Sequence, residues 1–214
     1  ITADLTTSSG QSLFWQWVQA EQCFGVFAAP PCGTCSLARN IPIHVPGSKR
    51  RSGPPPLRSS SYPDGLPTLT GSQKARVGAA NTLYAFLTEI ALYCVEHGKV
   101  ICIENPRSSL YWLTSFAQPL TKLLKFTAHQ ACAYGGQRPK WTALLHNHDG
   151  FFNICRTCPG QSKQHIHKPW GYDMDKQQFS TKEEAAYPVD LAYAIACVFA
   201  EVAVSKGWLP PAVQ

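Results

Sequence analysis

Apolar positions along the chain fall into helical stripes and short continuous runs. Stripes with a spacing of three to four residues predict helices over 12–22, 74–96 and 183–205. Weaker stripes over 108–113 and 120–124 predict two short helices. The chain therefore contains at least two helices long enough to cover a face of a sheet.

Continuous apolar runs lie between these helices. They predict strands over 1–5, 25–27, 100–103, 127–133 and 141–146. Because the first two strands flank a helix, they are predicted to form one parallel crossover unit. The alternation of strands and helices favours an open α/β sheet, whose sites lie at the carboxyl ends of its strands.

Length and composition restrict the class of protein. The 214 residues suit a single domain over 1–214, and 44% of them are hydrophobic, which excludes a disordered or fibrous chain. The longest strongly apolar segment, 191–204, is shorter than a membrane span, so no membrane is expected as a partner. An odd count of nine cysteines without a signal peptide favours reduced thiols and an intracellular protein.

The positive charge is concentrated in one segment. The net charge is +6, which favours a polyanionic partner but also fits an ordinary basic protein. Over 37–76, arginine and lysine lie among proline, glycine and serine, a pattern that excludes regular structure over most of its length. This basic loop is interpreted as a lid over an anionic substrate, the alternative being a solvated linker.

Two predicted strand ends carry reactive side chains. The first strand runs into Pro30, Pro31 and the thiol of Cys32, and the strand at 100–103 runs into Glu104 and Asn105. Two adjacent prolines give the chain a rigid path out of the strand. A thiol and a carboxylate on neighbouring parallel strands would face the same crevice.

These strand ends carry a resemblance to a known family. P-P-C-x-x-x-S at 30–36, followed by E-N-P at 104–106, resembles the P-C-Q and E-N-V motifs of the cytosine-5 DNA methyltransferases. The resemblance implies a Rossmann-like, mostly parallel methyltransferase fold that takes methyl groups from S-adenosylmethionine and acts on DNA. The P-P-P-containing loop also resembles methyltransferase domains of eukaryotic retroelements. A nuclear or otherwise intracellular location follows from the substrate.

The resemblance gives individual residues their expected roles. Cys32 would add to carbon 6 of cytosine, and Glu104 would hold a proton at ring nitrogen 3. Arg138, in Y-G-G-Q-R at 134–138, would bind the base carbonyl or a phosphate. Two further sets of binding residues are expected. The residues expected to contact the cofactor are Asp4, Pro30, Pro31, Tyr187 and Pro188. The residues expected to contact the substrate are Ser36, Arg39 and Asn105.

The chain also departs from the family pattern. Gly33 stands in place of the glutamine after the cysteine, and Pro106 in place of the valine. No glycine-rich cofactor turn is present, and the chain begins with Ile1, so we expect a domain truncated at its N-terminus that binds S-adenosylmethionine weakly or not at all.

Cysteine and histidine are concentrated in a second region, an expected insertion over 150–179. Cys155 and Cys158 have the spacing C-x-x-C, and His165 and His167 follow closely. Cysteine and histidine are typical ligands of structural zinc, which stabilises segments without a core of their own. The alternative is a surface loop whose histidines contact phosphate or nothing.

Two other functions are consistent with the sequence. One is a catalytically inactive, nucleic-acid-binding remnant of the methyltransferase fold. The other is an amino-group DNA methyltransferase that acts on adenine, because A-P-P-C resembles the D-P-P-Y motif of such enzymes, although Ala29 and Cys32 differ from it. The oligomeric state, the sequence context of the target and the choice between DNA and RNA are not determined by these patterns.

Overall fold

The computed structural model describes residues 2–40, 54–173, 175 and 178–208. Within these ranges the chain forms a four-stranded sheet with helices on both faces, and a separate short pair of strands. The strands are Gly25–Ala28 (β1), Val100–Pro106 (β2), Lys125–Gln130 (β3), Trp141–His146 (β4), Tyr172–Asp173 (β5) and Gln178–Phe179 (β6). The helices are Ser8–Gln19 (α1), Gly71–Glu96 (α2), Gln118–Leu123 (α3), Ser180–Glu183 (α4) and Val189–Ser205 (α5).

The main sheet has the order β1-β2-β4-β3. β1 and β2 are parallel, whereas β4 is antiparallel to both β2 and β3. The expected mostly parallel sheet is therefore wrong for the described strands, because two of the three pairings are antiparallel. It follows from these pairings that β1, β2 and β3 point in one direction and that only β4, lying between β2 and β3, is reversed. The mixed α/β architecture with an open sheet is confirmed.

Both faces of the sheet are buried, as the side chains of β2 show. Ile101 and Ile103 belong to the core that α2 covers, whereas Val100 and Cys102 belong to the core that α5 covers. Successive side chains of a strand point to opposite faces, so a continuous apolar run is what two-sided burial requires. All four of these side chains are at most 5% exposed.

The start of the described chain differs from the expected crossover unit. Residues 2–5 form no strand. Instead, the carboxylate of Asp4 accepts hydrogen bonds from the backbone and hydroxyl of Thr6, and the hydroxyl of Thr7 accepts one from the backbone of Gly10 at the start of α1. These are typical turn and N-cap contacts, and they compete with pairing in a sheet.

The other expected elements lie close to their observed positions, with one exception. β4 and the end of α2 lie where the apolar pattern predicted them. The helix predicted over 183–205 begins only at Val189, because Pro188 disfavours helical geometry at the preceding residue. α5 is the most apolar helix, and in the described part of the chain no helix has both the length and the apolarity to cross a membrane.

Candidate functional site at the sheet edge

Cys32 and Glu104 lie at the same edge of the sheet. Ala28, the last residue of β1, pairs with Ile103 of β2 in parallel register, so Glu104 lies in the part of β2 that extends beyond the end of β1. The side-chain amide of Asn105 donates a hydrogen bond to the carbonyl of Pro30 at 3.0 Å and joins the two strand ends. This contact fixes the loop that leads to Cys32, and the expected substrate contact of Asn105 stays a prediction.

The turn that begins with Cys32 is anchored from α2. The hydroxyl of Tyr84 donates to the carbonyl of Pro31 at 2.6 Å, and the thiol of Cys35 lies 3.3 Å from the same hydroxyl. The backbone amide of Cys35 donates to the carbonyl of Cys32 and closes the turn. Tyr84 and Cys35 are completely buried, so the position of Cys32 depends on the core rather than on a mobile loop.

Glu104 is a buried carboxyl group with one hydrogen-bond partner among the described residues. It is 8% exposed, and the hydroxyl of Tyr187 donates to its Oε2 at 3.0 Å. Burial raises the pKa of Glu104, while the charge of Lys140 and the hydrogen bond from Tyr187 lower it. Because burial is the largest cause, this carboxyl group retains its proton to a higher pH than an exposed one.

The Cys32 thiol is half-buried and electrostatically linked to the same groups. Burial raises its pKa, the positive charge of Lys140 lowers it, and a negative charge on Glu104 raises it. Protonation of Glu104 would therefore favour the Cys32 thiolate. Cys32, Glu104 and Lys140 form one electrostatic unit.

The sequence pattern gave no role to Lys140 beside Cys32 and Glu104. It precedes β4, which runs opposite to its neighbours, so the start of β4 lies at the edge where β1 and β2 end. Its ammonium group donates to the carbonyl of Glu184 at 3.0 Å. The sequence predicted β4 but not its direction, and the direction determines at which edge Lys140 lies.

Arg138 has other partners than the expected substrate. Its guanidinium donates to Glu183 at 3.1 Å and to Glu184 at 2.9 Å, and its Nε donates to the carbonyl of Pro169 at 3.0 Å. The residue is only 5% exposed. Arg138 could reach a base only if these bonds were broken, so in this arrangement it organises neighbouring segments.

Three other expected contacts have local roles. Asp4 is exposed and bonded to Thr6, which is the contact of a turn rather than of a ligand pocket. The hydroxyl of Ser36 accepts a hydrogen bond from the backbone of Ala38. Pro188 lies directly before α5.

The basic loop falls into parts with different environments. Residues 41–53, including Lys49, Arg50 and Arg51, lie outside the described residues. Arg58 is 2% exposed, donates to the hydroxyl of Thr34, and lies over the ring of Tyr84, so it is a structural residue. The lid interpretation thus does not apply to Arg58.

Two arginines remain beside the Cys32 turn. Arg39 donates to the carbonyl of Gly33 at 3.1 Å, and a side chain at Gly33 would approach the guanidinium of Arg76. Burial and the charge of Arg76 both lower the pKa of Arg39. Neither arginine forms an ion pair with a described acidic residue, so together they could bind an anion.

The expected Cys/His set is partly corrected. One ligand atom each from Cys132, Cys158, His165 and His167 lies within 4.8 Å of the others, a group that could hold a metal ion. We call these residues the Cys/His group. Cys155 is exposed and does not belong to it. Cys132 takes its place, because β3 ends beside the segment that carries the other three ligands.

Comparison with known proteins gives no family for this chain. No protein family, curated protein or solved structure matches it significantly.

Proposed function

We propose that this protein transfers a methyl group from S-adenosylmethionine to carbon 5 of cytosine in DNA, through a covalent adduct at Cys32. The observation that carries the proposal is the pairing of a thiol with a buried, proton-retaining carboxyl group at adjacent parallel strand ends. The sequence motifs around these two residues resemble those of the cytosine-5 DNA methyltransferases. Perturbed pKa values of neighbouring groups are typical of reactive sites.

The two side chains would divide the chemistry between them. Carbon 5 of cytosine is a poor nucleophile until a thiolate adds to carbon 6, and Cys32 would supply this thiolate. Electrons then move into the ring toward nitrogen 3. A protonated Glu104 can donate a hydrogen bond there and stabilise the developing charge.

Charge coupling links these two roles. A carboxylate at Glu104 raises the pKa of Cys32, whereas the ammonium of Lys140 lowers it. The productive state therefore has a neutral Glu104, a charged Lys140 and a Cys32 thiolate. This state follows from the signs of the interactions, and it assigns to Lys140 the role of a positive charge beside the reacting ring.

DNA is the proposed partner because of the charges around the Cys32 turn. Arg39 and Arg76 have no acidic partner among the described residues and could contact a phosphate. A base in a duplex must be turned out of the stack to reach Cys32, and phosphate contacts on either side would hold the strand during that step.

The described residues fit a binding site for the cytosine base better than a binding site for the methyl donor. Asp4 is exposed and engaged with Thr6, and the hydroxyl of Tyr187 is engaged with Glu104. Pro30 and Pro31 use their carbonyls to bind Asn105 and Tyr84. These contacts do not form a binding site for the methyl donor, so S-adenosylmethionine is proposed from the sequence motifs alone.

The Cys/His group is assigned no part in the reaction. Its four candidate ligands would fill a tetrahedral coordination shell and leave no open position for a reacting water.

A second candidate function is a nucleic-acid-binding protein without catalytic activity. It is favoured by the burial that raises the pKa of Cys32, since a protonated thiol is a poor nucleophile.

The first experiment tests Cys32 without requiring the methyl donor. Addition of a thiolate to carbon 6 allows carbon 5 to take up a proton, and reversal then releases the original hydrogen to water. We expect DNA that carries tritium at carbon 5 of cytosine to lose label to solvent with the wild-type protein. Cys32→Ser should abolish this release, whereas Cys23→Ser, which changes another half-buried thiol, should not.

The second experiment tests methyl transfer itself. Duplex DNA containing 5-fluorocytosine should form a stable adduct with the wild-type protein when S-adenosylmethionine is present, and Cys32→Ser should form none. Methylation of adenine without an adduct would contradict the proposal and favour an amino-group methyltransferase. DNA binding with neither tritium release nor transfer would favour the inactive binding protein.

A further inference from the structure

The Cys/His group brings together ligand atoms from two distant parts of the chain. The thiol of Cys158 lies 3.3 Å from Nε2 of His165 and 3.4 Å from Nε2 of His167, and the two Nε2 atoms are 2.9 Å apart. Cys132 completes the group from the turn that follows β3. All four atoms therefore surround one point in space.

Hydrogen bonding alone does not account for this arrangement. Each Nε2 atom either donates or accepts one hydrogen bond, so at most two of the three short contacts among Cys158, His165 and His167 can be hydrogen bonds at the same time. Zinc bonds of the usual lengths place tetrahedral sulfur and nitrogen ligands about 3.3–3.8 Å apart. The two separations from Cys158 lie at the lower end of this range, and the distance between the two Nε2 atoms is shorter. Two thiols and two imidazoles, without a carboxylate, form a donor set suited to zinc rather than to calcium or magnesium.

The backbone around Cys158 supports the same assignment. The amide of Gly160 donates to the sulfur of Cys158 at 3.3 Å, which would stabilise a thiolate. The amide of Cys158 itself donates to the side chain of Gln130, the last residue of β3, at 2.8 Å. Gly160 has a φ of +98°, a conformation that favours glycine and lets the chain turn back. Metal ligands are commonly oriented by such outer contacts.

The segment that carries three of the ligands lacks a core of its own. None of the described residues from 155 to 171 belongs to either hydrophobic core, and Ile166 is 72% exposed. Backbone contacts between Ser162 and His165 form a tight turn that presents both histidines to Cys158. Such a segment gains its fixed conformation from cross-links rather than from burial.

We propose that Cys132, Cys158, His165 and His167 bind one Zn²⁺ ion, which fastens residues 155–171 to the end of β3. The ion enters from a surface depression lined by Cys132, Arg156 and His165. This site shares no residue with the proposed site of methyl transfer, and its assignment does not rest on that function.

The zinc also has a consequence for the sheet edge. Beyond His167, the amide of Lys168 donates to the carbonyl of Gln137, and the carbonyl of Pro169 accepts from Arg138. The fastened segment thus supports the turn that leads to Lys140. Zinc is a structural support for that turn and takes no part in chemistry.

The test is the metal content of the purified full chain, measured by mass spectrometry after exhaustive desalting. We expect one zinc per chain in the wild type and in Cys155→Ser, whose thiol is exposed and outside the group. Cys132→Ser and Cys158→Ser should each lose most of the metal. A wild type without zinc would overturn the proposal, as would zinc loss in Cys155→Ser but not in Cys132→Ser.

A second measurement applies if the serine variants do not fold. Wild-type protein stripped of metal is titrated with Co²⁺, which reports coordination by its absorption. We expect the intense visible bands of tetrahedral Co²⁺ together with thiolate charge transfer, and stoichiometric competition by Zn²⁺. Weak octahedral bands without thiolate charge transfer would overturn the assignment. Neither measurement uses DNA or a methyl donor, so failure of the proposed function would leave this test intact.

Discussion

Cys32 and Glu104 extend from strands that are buried on both faces, whereas His165 and His167 lie in a segment that contributes to neither core. Both regions lie at the same edge of the sheet, since β1, β2 and β3 end there. The first is positioned by packing and by buried hydrogen bonds such as that from Tyr84 to Pro31. The second is positioned by a few polar contacts and by the proposed ion.

The difference teaches how one small domain can support two sites. A reactive pair must be held in fixed geometry, and burial supplies this without further partners. A surface segment cannot bury enough apolar area to become ordered, so it relies on cross-links to a neighbouring strand. The first site should therefore tolerate loss of its chemical groups, and the second should not tolerate loss of its ligands.

The largest expected effect is that of Glu104→Gln on tritium release. Loss of the proton donor should slow the release by about 10²–10⁴-fold, the usual contribution of a general acid. The free energy of unfolding at neutral pH should not fall, because glutamine has a similar volume and no charge to bury. An unchanged release rate would contradict the role of Glu104.

The same variant should change how stability depends on pH. Because burial raises the pKa of Glu104 in the folded protein, folding takes up a proton between the ordinary and the raised value. The free energy of unfolding of the wild type should therefore fall as pH rises through this window. In Glu104→Gln this contribution should disappear, as urea titrations at several pH values would show.

Metal removal should separate the two regions. With a chelator present, tryptic cleavage after the exposed Lys163 should accelerate on the order of a hundredfold, because local opening no longer costs metal binding. Hydrogen exchange of the β2 amides should stay slow. If the β2 amides lose their protection from hydrogen exchange when residues 155–171 become susceptible to trypsin, the two regions form one folding unit. That result would contradict the distinction between them.

Acid should weaken the sheet through its buried histidines. Burial lowers the pKa of both His129 and His146 to about 4, so the unfolded chain binds protons more readily and stability falls as pH decreases from about 6.5 to about 4. Neither ring nitrogen of His129 has a hydrogen-bond partner among the described residues. His129→Leu should therefore be more stable than the wild type at pH 5, by about 1–2 kcal/mol.

The control for this measurement is His97→Gln, which changes an exposed histidine. Its stability should follow the wild-type pH dependence. An equal gain of stability in both variants would show that burial of His129 is not the cause.

The smallest expected effect is that of Tyr187→Phe. Loss of the hydrogen bond to Glu104 should raise the pKa of that carboxyl group further and reduce stability by about 1 kcal/mol. Activity requires a protonated Glu104, so the pH at which activity declines on the alkaline side should rise by less than about one unit. Tyr193→Phe, at a residue 71% exposed, should change neither quantity.

The local sequence determined much of the fold. The apolar run at 100–103 predicted the start of β2, and the stripe over 74–96 predicted all but the first three residues of α2, because two-sided and one-sided burial leave distinct periodic patterns. The motifs at Cys32 and Glu104 also marked the strand ends that the structure places side by side. The expected strand at 1–5 failed over residues 2–5 because Asp4 and Thr7 favour a turn.

Only the tertiary structure decided which distant residues join these sites. The reversal of β4 brings Lys140 to the reactive edge, and the end of β3 brings Cys132, rather than Cys155, to the two histidines. Buried ion pairs likewise draw Arg138 away from the expected substrate. The periodicity of apolar residues indicates whether a residue is buried. Strand direction and long-range contacts depend instead on how whole elements pack, and this packing cannot be read from the local sequence.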